Sequence, residues 1–391
     1  MEIDHRDDIY SVALRADGKQ VVSGGKEQMI RCWGVEDGTE VGTPMDAGGI
    51  VWNIAMSRDG KWIVSGTESG QVTVWNAESH EKVTEFKAHN HLMRALDVSP
   101  DGTKIATGSD DKTASVWSLQ TGQRSVGPWQ HSFFVPAVKF SPDGEYIATA
   151  TWFRHSVRIY YPGYYGQSSS PWRIFQIRVT LSENQSLAWT SDGNQLFALS
   201  YDGNIHCLDV HNGTTLSKWP ILNSNIPMCI ALASNDTFIA VSAESSISFW
   251  DVATHKQIGS VIRHTAYVGS IAISASYDIV VGGGKTVTLR SLCDIIPLPY
   301  SDYVSATTRI RRLSNLICLP DCCRLSPSGP WGACRQTWLI SRRLLNCLSL
   351  LIVTIVMHRS RAYMRSWVRA KNIPTYLILC SSVLSDFIVR Q

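Results

Sequence analysis

Short apolar runs alternate with Asp/Gly turns along this chain, and the alternation returns about every forty-two residues, a period typical of stacked repeats. The third unit is the fullest: His89, MRALDV (93–98), SPDG (99–102), KIATGS (104–109), DDKT (110–113) and ASVW (114–117). Short β-rich runs separated by such turns predict three antiparallel strands, a, b and c. A looser stretch follows, Lys82–Phe86 or Arg124–Trp129, and supplies an outer strand d. Asp17-Gly18, Asp59-Gly60, Asp101-Gly102, Asp143-Gly144 and Asp192-Gly193 mark the a–b turns. Trp33, Trp75, Trp117, Tyr160, Leu208, Trp250 and Arg290 close the seven units. Strands a to c are apolar on both faces, which suits sheets sandwiched between neighbouring sheets. A unit that cannot bury its own faces must stack on its neighbours, and four-stranded blades packed radially leave only short, protected edges.

These residues resemble the WD-repeat β-propeller family, fungal members included, over roughly residues 3–300. The resemblance implies an all-β, seven-bladed WD-repeat β-propeller over 1–299, with each unit one blade. It also implies a hydrogen-bonded tetrad: a His before strand a, a Ser/Thr on b, an Asp in the b–c turn and a Trp on c. Blade three matches with His89, Thr107, Asp111 and Trp117. Blade one offers His5, Ser23, Glu27 and Trp33, and blade two keeps Ser65 and Trp75, with Ala47 and Ser69 at the other positions. Blade four has His131 and Thr149, then a turn one residue longer and Tyr160. Asp202 survives in blade five, Trp250 with Glu244 in six, and His264 in seven.

The same resemblance implies that residues entering strand a, on the top rim of the central channel, contact partners. Alignment to Arg94 selects Tyr10, Trp52, Arg94, Pro136, Gln185, Pro227 and Gly269. Two residues earlier stand Asp8, Ile50, Leu92, Phe134, Glu183, Asn225 and Tyr267. Tyr10, Ile50, Trp52, Leu92, Arg94, Phe134 and Tyr267 form the expected partner-binding set, because aromatic and Arg side chains dominate interface hot spots. Each could instead pack only against the next blade. The positions differ from blade to blade, so one asymmetric face for proteins or peptides is expected, on a monomeric propeller.

Enzymatic chemistry finds little support. A Ser/Thr–His–Asp set that recurs blade by blade is structural, since an active site would occur once and buried polar groups must be paired. Gly282-Gly283-Gly284-Lys285-Thr286 ends like a phosphate-binding loop, but Ile279 stands where that loop needs Gly, so it reads as a b–c turn. Cys318, Cys322, Cys323 and Cys334 lack the paired spacings of a zinc site. No catalytic residue, metal or cofactor is expected.

Charge divides the chain. Residues 1–299 carry 23 Lys+Arg against 30 Asp+Glu, whereas 300–391 carry 13 against 3. Nucleic-acid binding is therefore not expected, because the basic residues belong to the tail and the propeller is acidic. Residues 300–391 form a basic, Cys/Arg/Leu-rich tail, poorly patterned, helical or disordered. Arg over Lys, scattered Cys and sudden loss of the repeat are also what a translated intron or shifted frame gives. Its apolar run Leu344–Met357 would rise about 21 Å as a helix, short of the ~30 Å of a hydrocarbon core. Membrane contact could come only through this run. No signal peptide opens the chain and Cys32, Cys207, Cys229 and Cys293 lack regular spacing, so a reducing cytoplasmic or nuclear setting is expected. Only Met1–Asp4 precede His5, too few for a useful strand. Ring closure is accordingly expected through face packing of blades one and seven, with Ile295–Ser301 as the outer strand of blade seven. The leading function is a non-catalytic scaffold. The alternatives are the sensing propeller of a larger receptor, similar to fungal NTPase-linked WD-repeat proteins, or a propeller anchored through 344–357.

Overall fold

A strand such as Lys104–Ser109 is buried at every residue after its first, which happens only when other sheets cover both of its faces. Gln20–Gly25, Trp62–Thr67 and Gln195–Ser200 show the same pattern. The computed structural model describes residues 2–292, apart from 152–156, 162–172, 176–186, 201, 222–226 and 275–277. Those residues form seven antiparallel four-stranded sheets.

Blade one comprises Ile9–Leu14, Gln20–Gly25, Met29–Gly34 and Met45–Asp46. Blade two comprises Val51–Met56, Trp62–Thr67, Gln71–Asn76 and Lys82–Lys87, and blade three Met93–Val98, Lys104–Ser109, Thr113–Ser118 and Arg124–Gln130. Blade four is Ala137–Phe140, Ile147–Ala150, Val157–Tyr160 and Arg173–Phe175; blade five is Leu187–Trp189, Gln195–Ser200, Asn204–Asp209 and Thr215–Pro220. Blade six is Pro227–Leu232, Phe238–Ala243, Ser246–Asp251 and Gln257–Arg263. Val268–Ile273, Asp278–Gly283 and Thr286–Ser291 form strands a to c of blade seven.

The a–b reversals follow from their Asp-Gly pairs. Gly18, Gly60, Gly102, Gly144 and Gly193 all sit at φ between 69° and 75°, a region open to Gly without a Cβ penalty. The preceding hydroxyl fastens the turn: Ser57 donates to Asp59 at 2.6 Å and Thr190 to Asp192 at 2.6 Å. These bonds hold both carboxyls below the usual carboxylate range.

The core is divided among the junctions between blades. Val22, Ile30, Val51, Ile54, Ile63 and Trp75 fill the junction of blades one and two. Val72, Met93, Leu96, Ile105 and Trp117 fill the next. Hydrogen bonds stitch the inner strands together: Ile54 N donates to Ser11 Oγ at 2.9 Å, Asn53 Nδ2 to the Met93 carbonyl at 3.0 Å, and Phe140 N to Asp97 at 2.8 Å.

Closure differs from the sequence expectation. Glu2–Asp4 is a strand and pairs with Thr286–Ser291 through Glu2↔Thr288, Ile3↔Val287 and Asp4↔Thr286, so the N-terminus supplies the outer strand of blade seven. Three residues suffice because Ile3, 6 % exposed, inserts among Ile9, Val12, Val280 and Val287 at the junction of blades seven and one. The His5 amide continues the ladder to the Lys285 carbonyl at 2.7 Å. Face packing is also present, with Val12 N donating to Ser270 Oγ at 3.2 Å.

The residues proposed for a tail, with Ile295–Ser301, Leu344–Met357 and the four spaced cysteines, lie outside the described residues. So does the longer turn of blade four. Among the described residues no helix is long and apolar enough to cross a membrane.

Candidate functional site

The b–c turns and the d–a connections share one face of the ring, here the top. Backbone bonds tie them together: Lys26 N to Asp8 O, Glu68 N to Ile50 O and Asp110 N to Leu92 O, each 2.9 to 3.0 Å. Beneath them lie the tetrads. In blade three Trp117 Nε1 donates to Thr107 Oγ1 at 2.8 Å, and Thr107 Oγ1 lies 2.7 Å from His89 Nε2. His89 Nδ1 stands 2.9 Å from Asp111 Oδ2. A carboxylate accepts only, so Nδ1 carries the proton and Nε2 accepts from Thr107. Burial raises the Asp111 carboxyl, but hydrogen bonds from His89 and Thr113 outweigh it and hold the group well below the usual carboxylate range. With Thr107 fully buried and its hydroxyl engaged on both sides, this network fixes the d–a loop against the b–c turn and offers no free nucleophile.

Blade one closes similarly: Trp33 Nε1 to Ser23 Oγ at 2.8 Å, Ser23 to His5 Nε2 at 3.1 Å, and His5 Nδ1 to Glu27 at 3.6 Å. Arg31 explains the Glu, donating Nε to Glu27 at 2.6 Å and Nη1 to Glu40 at 2.6 Å. Blade two keeps the Trp75–Ser65 bond at 3.0 Å. In blade four the Tyr160 hydroxyl replaces the indole, 3.3 Å from His131 Nε2, and its ring stacks on Trp129 at 3.9 Å. Burial, with Arg158 nearby, pushes the His131 imidazole down to about 3.

The later blades improvise. In blade five Ser200 bonds Asp202 and also lies 3.2 Å from Nε2 of His206, a histidine on strand c. In blade six the Trp250 indole donates to Ser248 at 2.9 Å, two residues away on its own strand, rather than to strand b. Blade seven uses His264 with Thr288 at 3.2 Å and Thr286 at 3.3 Å. His206, Ser248 and Thr288 escape sequence reading because each serves the network from strand c. The GGGKT segment is the expected turn, with Gly284-Lys285 between Asp278–Gly283 and Thr286–Ser291.

Above the tetrads, four of the seven predicted rim residues meet. Tyr10 stacks on Trp52 with centroids 4.7 Å apart and planes at 22°. The Arg94 guanidinium lies 5.8 Å from the Trp52 centroid and 5.3 Å from that of Phe134. Asp110 holds Arg94 in place, accepting from Nε at 2.8 Å and from Nη2 at 3.2 Å. A ladder of two aromatic rings, a cation and a third ring therefore spans blades one to four. Ile50 and Leu92 are half-buried, and Tyr267 of blade seven is 51 % exposed.

Bulges create this display. Ladder register shifts between Ile9/Ser11, Val51/Asn53 and Met93/Ala95, leaving Tyr10, Trp52 and Arg94 as extra residues whose side chains turn toward the rim. The register also corrects one alignment. In blade six the shift falls between Pro227 and Cys229, so Met228, not Pro227, is the equivalent of Arg94. Gln185, Glu183 and Asn225 lie outside the described residues.

The family model for the WD domain, G-beta repeat, matches residues 2–34, 39–76, 80–118 and 125–160. The model for the anaphase-promoting complex subunit 4 WD40 domain matches residues 169–235. Together they take in more than half of the chain. The chain belongs to the WD-repeat family. No curated protein matches it. WD-repeat propellers are generally protein-interaction scaffolds and typically non-enzymatic. In this WD-repeat protein the chemistry of the tetrads is consumed inside the blades, and the bulge residue at the rim differs from one repeat to the next, as Tyr10, Trp52, Arg94 and Gly269.

Proposed function

We propose that this WD-repeat protein is a non-catalytic scaffold that binds partner proteins or peptides on the top rim, through Tyr10, Ile50, Trp52, Leu92, Arg94, Phe134 and Tyr267. The carrying observation is the continuous Tyr10–Trp52–Arg94–Phe134 ladder, held by Asp110. Aromatic and Arg side chains already locked in position lose little entropy when a partner docks, and this is the composition of interface hot spots. The match over 169–235 to a domain of a complex subunit agrees with a role inside an assembly. A propeller enzyme would need convergent acids, imidazoles or metal ligands at the channel mouth, whereas the described ladder offers rings and one paired guanidinium. Affinity capture with wild type and a Trp52→Ala/Tyr267→Ala double variant tests the reading. Loss of most recovered partners, with unchanged thermal stability, is expected; equal recovery would overturn it.

A further inference from the structure

We infer that the rim contains a receptor slot at Gly269, between blades seven and one, for a cationic side chain (guanidinium or ammonium) of the partner polypeptide. This deepens, and rests on, the reading of the rim as the partner-binding surface.

Gly269 occupies the same bulge as the ladder residues. Strand a of blade seven shifts register between Val268 and Ser270, so Gly269 is equivalent to Tyr10, Trp52 and Arg94. Neither backbone nor packing demands glycine there. Three other blades hold Tyr, Trp and Arg in this bulge, and Gly269 is not among the glycines at positive φ. A Cβ at Gly269 would meet Tyr10 O at 3.5 Å, an ordinary contact. Other strand glycines are enforced: a Cβ would come within 2.7 Å of Ile54 at Gly24, 2.3 Å of Met93 at Gly66 and 2.8 Å of Val135 at Gly108. A glycine that the fold does not require weakens a strand and often marks a close approach by something else.

The neighbouring groups state what would approach. Tyr10 has a ring partner, Trp52, on one side; toward blade seven the next rung has no side chain. At the far end of the stack, Trp52 meets a guanidinium neutralised by a carboxylate, Arg94 with Asp110. Toward blade seven the segment that leads into Tyr10 carries a carboxylate with no cation bound to it. Asp8 enters strand a just before Tyr10, and its carboxylate has no ion pair or hydrogen bond among the described residues, whereas Asp7 pairs with Lys26 at 3.8 Å. A π face attracts cations, and an unpaired carboxylate two residues from it in the chain favours the same charge. The excess of acidic over basic residues in 1–299, 30 against 23, favours the same sign of partner. Tyr267, two residues before Gly269, adds an exposed aromatic at the entry of the same strand.

The test titrates the full chain, at low salt, with three capped tripeptides, Gly-Arg-Gly, Gly-Lys-Gly and Gly-citrulline-Gly, by saturation-transfer NMR. The Arg or Lys peptide is expected to bind at least about tenfold more tightly than the citrulline peptide, the size of a partly desolvated cation–π contact. Gly269→Leu, which fills the slot, should weaken that binding at least tenfold; Gly269→Ala should fold as wild type, and Asp8→Asn should weaken binding several-fold. If Gly269→Leu does not fold, Tyr10→Leu removes the π face in its place. Equal binding of Arg and citrulline peptides, undiminished binding by Gly269→Leu or Tyr10→Leu, or no binding of either cation overturns the slot. Partner capture separates the two readings. If Trp52→Ala/Tyr267→Ala loses partners while Gly269→Leu behaves as wild type, the slot fails and the rim stands; if neither variant changes capture, both fail.

Discussion

Thr107 and Thr73 allow the tetrad's contribution to be measured with its own control. Both are fully buried on blade strands, and Thr→Val removes one hydroxyl from either at nearly constant volume. At Thr107 the substitution strands the Trp117 indole N–H, otherwise bonded at 2.8 Å, and the His89 Nε2 acceptor, otherwise bonded at 2.7 Å. A buried group left unsatisfied costs about 1–3 kcal/mol, so with two stranded Thr107→Val should destabilise by about 2–6 kcal/mol. Thr73 Oγ1 has no partner among the described residues, and removing a buried hydroxyl that bonds nothing should be neutral or stabilising by up to about 1 kcal/mol. Urea unfolding followed by Trp fluorescence gives the midpoints, and amide exchange across residues 89–113 locates the damage. Exchange in that loop should accelerate for Thr107→Val alone. Equal midpoints for the two variants would refute the claim that these hydrogen bonds, rather than burial, hold the loop.

Three further outcomes are expected. Ile3→Ala, which empties part of the closure cluster, should cost about 2–4 kcal/mol and raise exchange in 278–291 more than in blade three; uniform or unchanged exchange would argue against an N-terminal latch. Neutral His131, with its imidazole near 3 when folded against 6.5 when free, contributes stability that is complete above pH 6.5 and lost as pH falls toward 3. Between pH 7 and 5 that amounts to about 2 kcal/mol, and a His131→Asn variant should show a correspondingly flatter pH slope by urea titration; an unaltered slope would count against buried neutrality. Asp111 does not confuse this window, because its carboxyl is held low and loses stability only below about pH 4. Finally, burial pushes the thiols of Cys32 up to about 12 and of Cys207 and Cys229 up to about 11. Ellman's reagent at pH 8 should leave all three unmodified until the ring unfolds, and labelling of native protein at any of them would contradict their placement.

Much of this molecule is local. A run apolar on both faces, an Asp-Gly reversal and a Trp ten residues after its Ser/Thr lie within one repeat, so blade count and strand order are readable from the chain, and the His89–Thr107–Asp111–Trp117 network from the family resemblance that those markers carry. The resemblance points to the rim, and counting in phase with those markers places Tyr10, Trp52, Arg94 and Gly269 in the bulge but selects Pro227 where the register has Met228. Tertiary structure decided whatever joins distant residues. Glu2–Asp4 looked too short to matter, yet Val287, far along the chain, completes its pairing and a hydrophobic junction buries Ile3. His206 and Ser248 took over tetrad roles from strand c, where two strands placed side by side make either one a source of the hydroxyl or imidazole. The rim ladder belongs to no single blade. Periodicity says that Tyr10, Trp52 and Arg94 are equivalent, but only bulges that turn each side chain toward its neighbour across a blade junction bring them into contact. Solvation pattern is a property of one residue and its local period; ring closure and side-chain stacking are properties of pairs, and pairs exist only after the blades have packed.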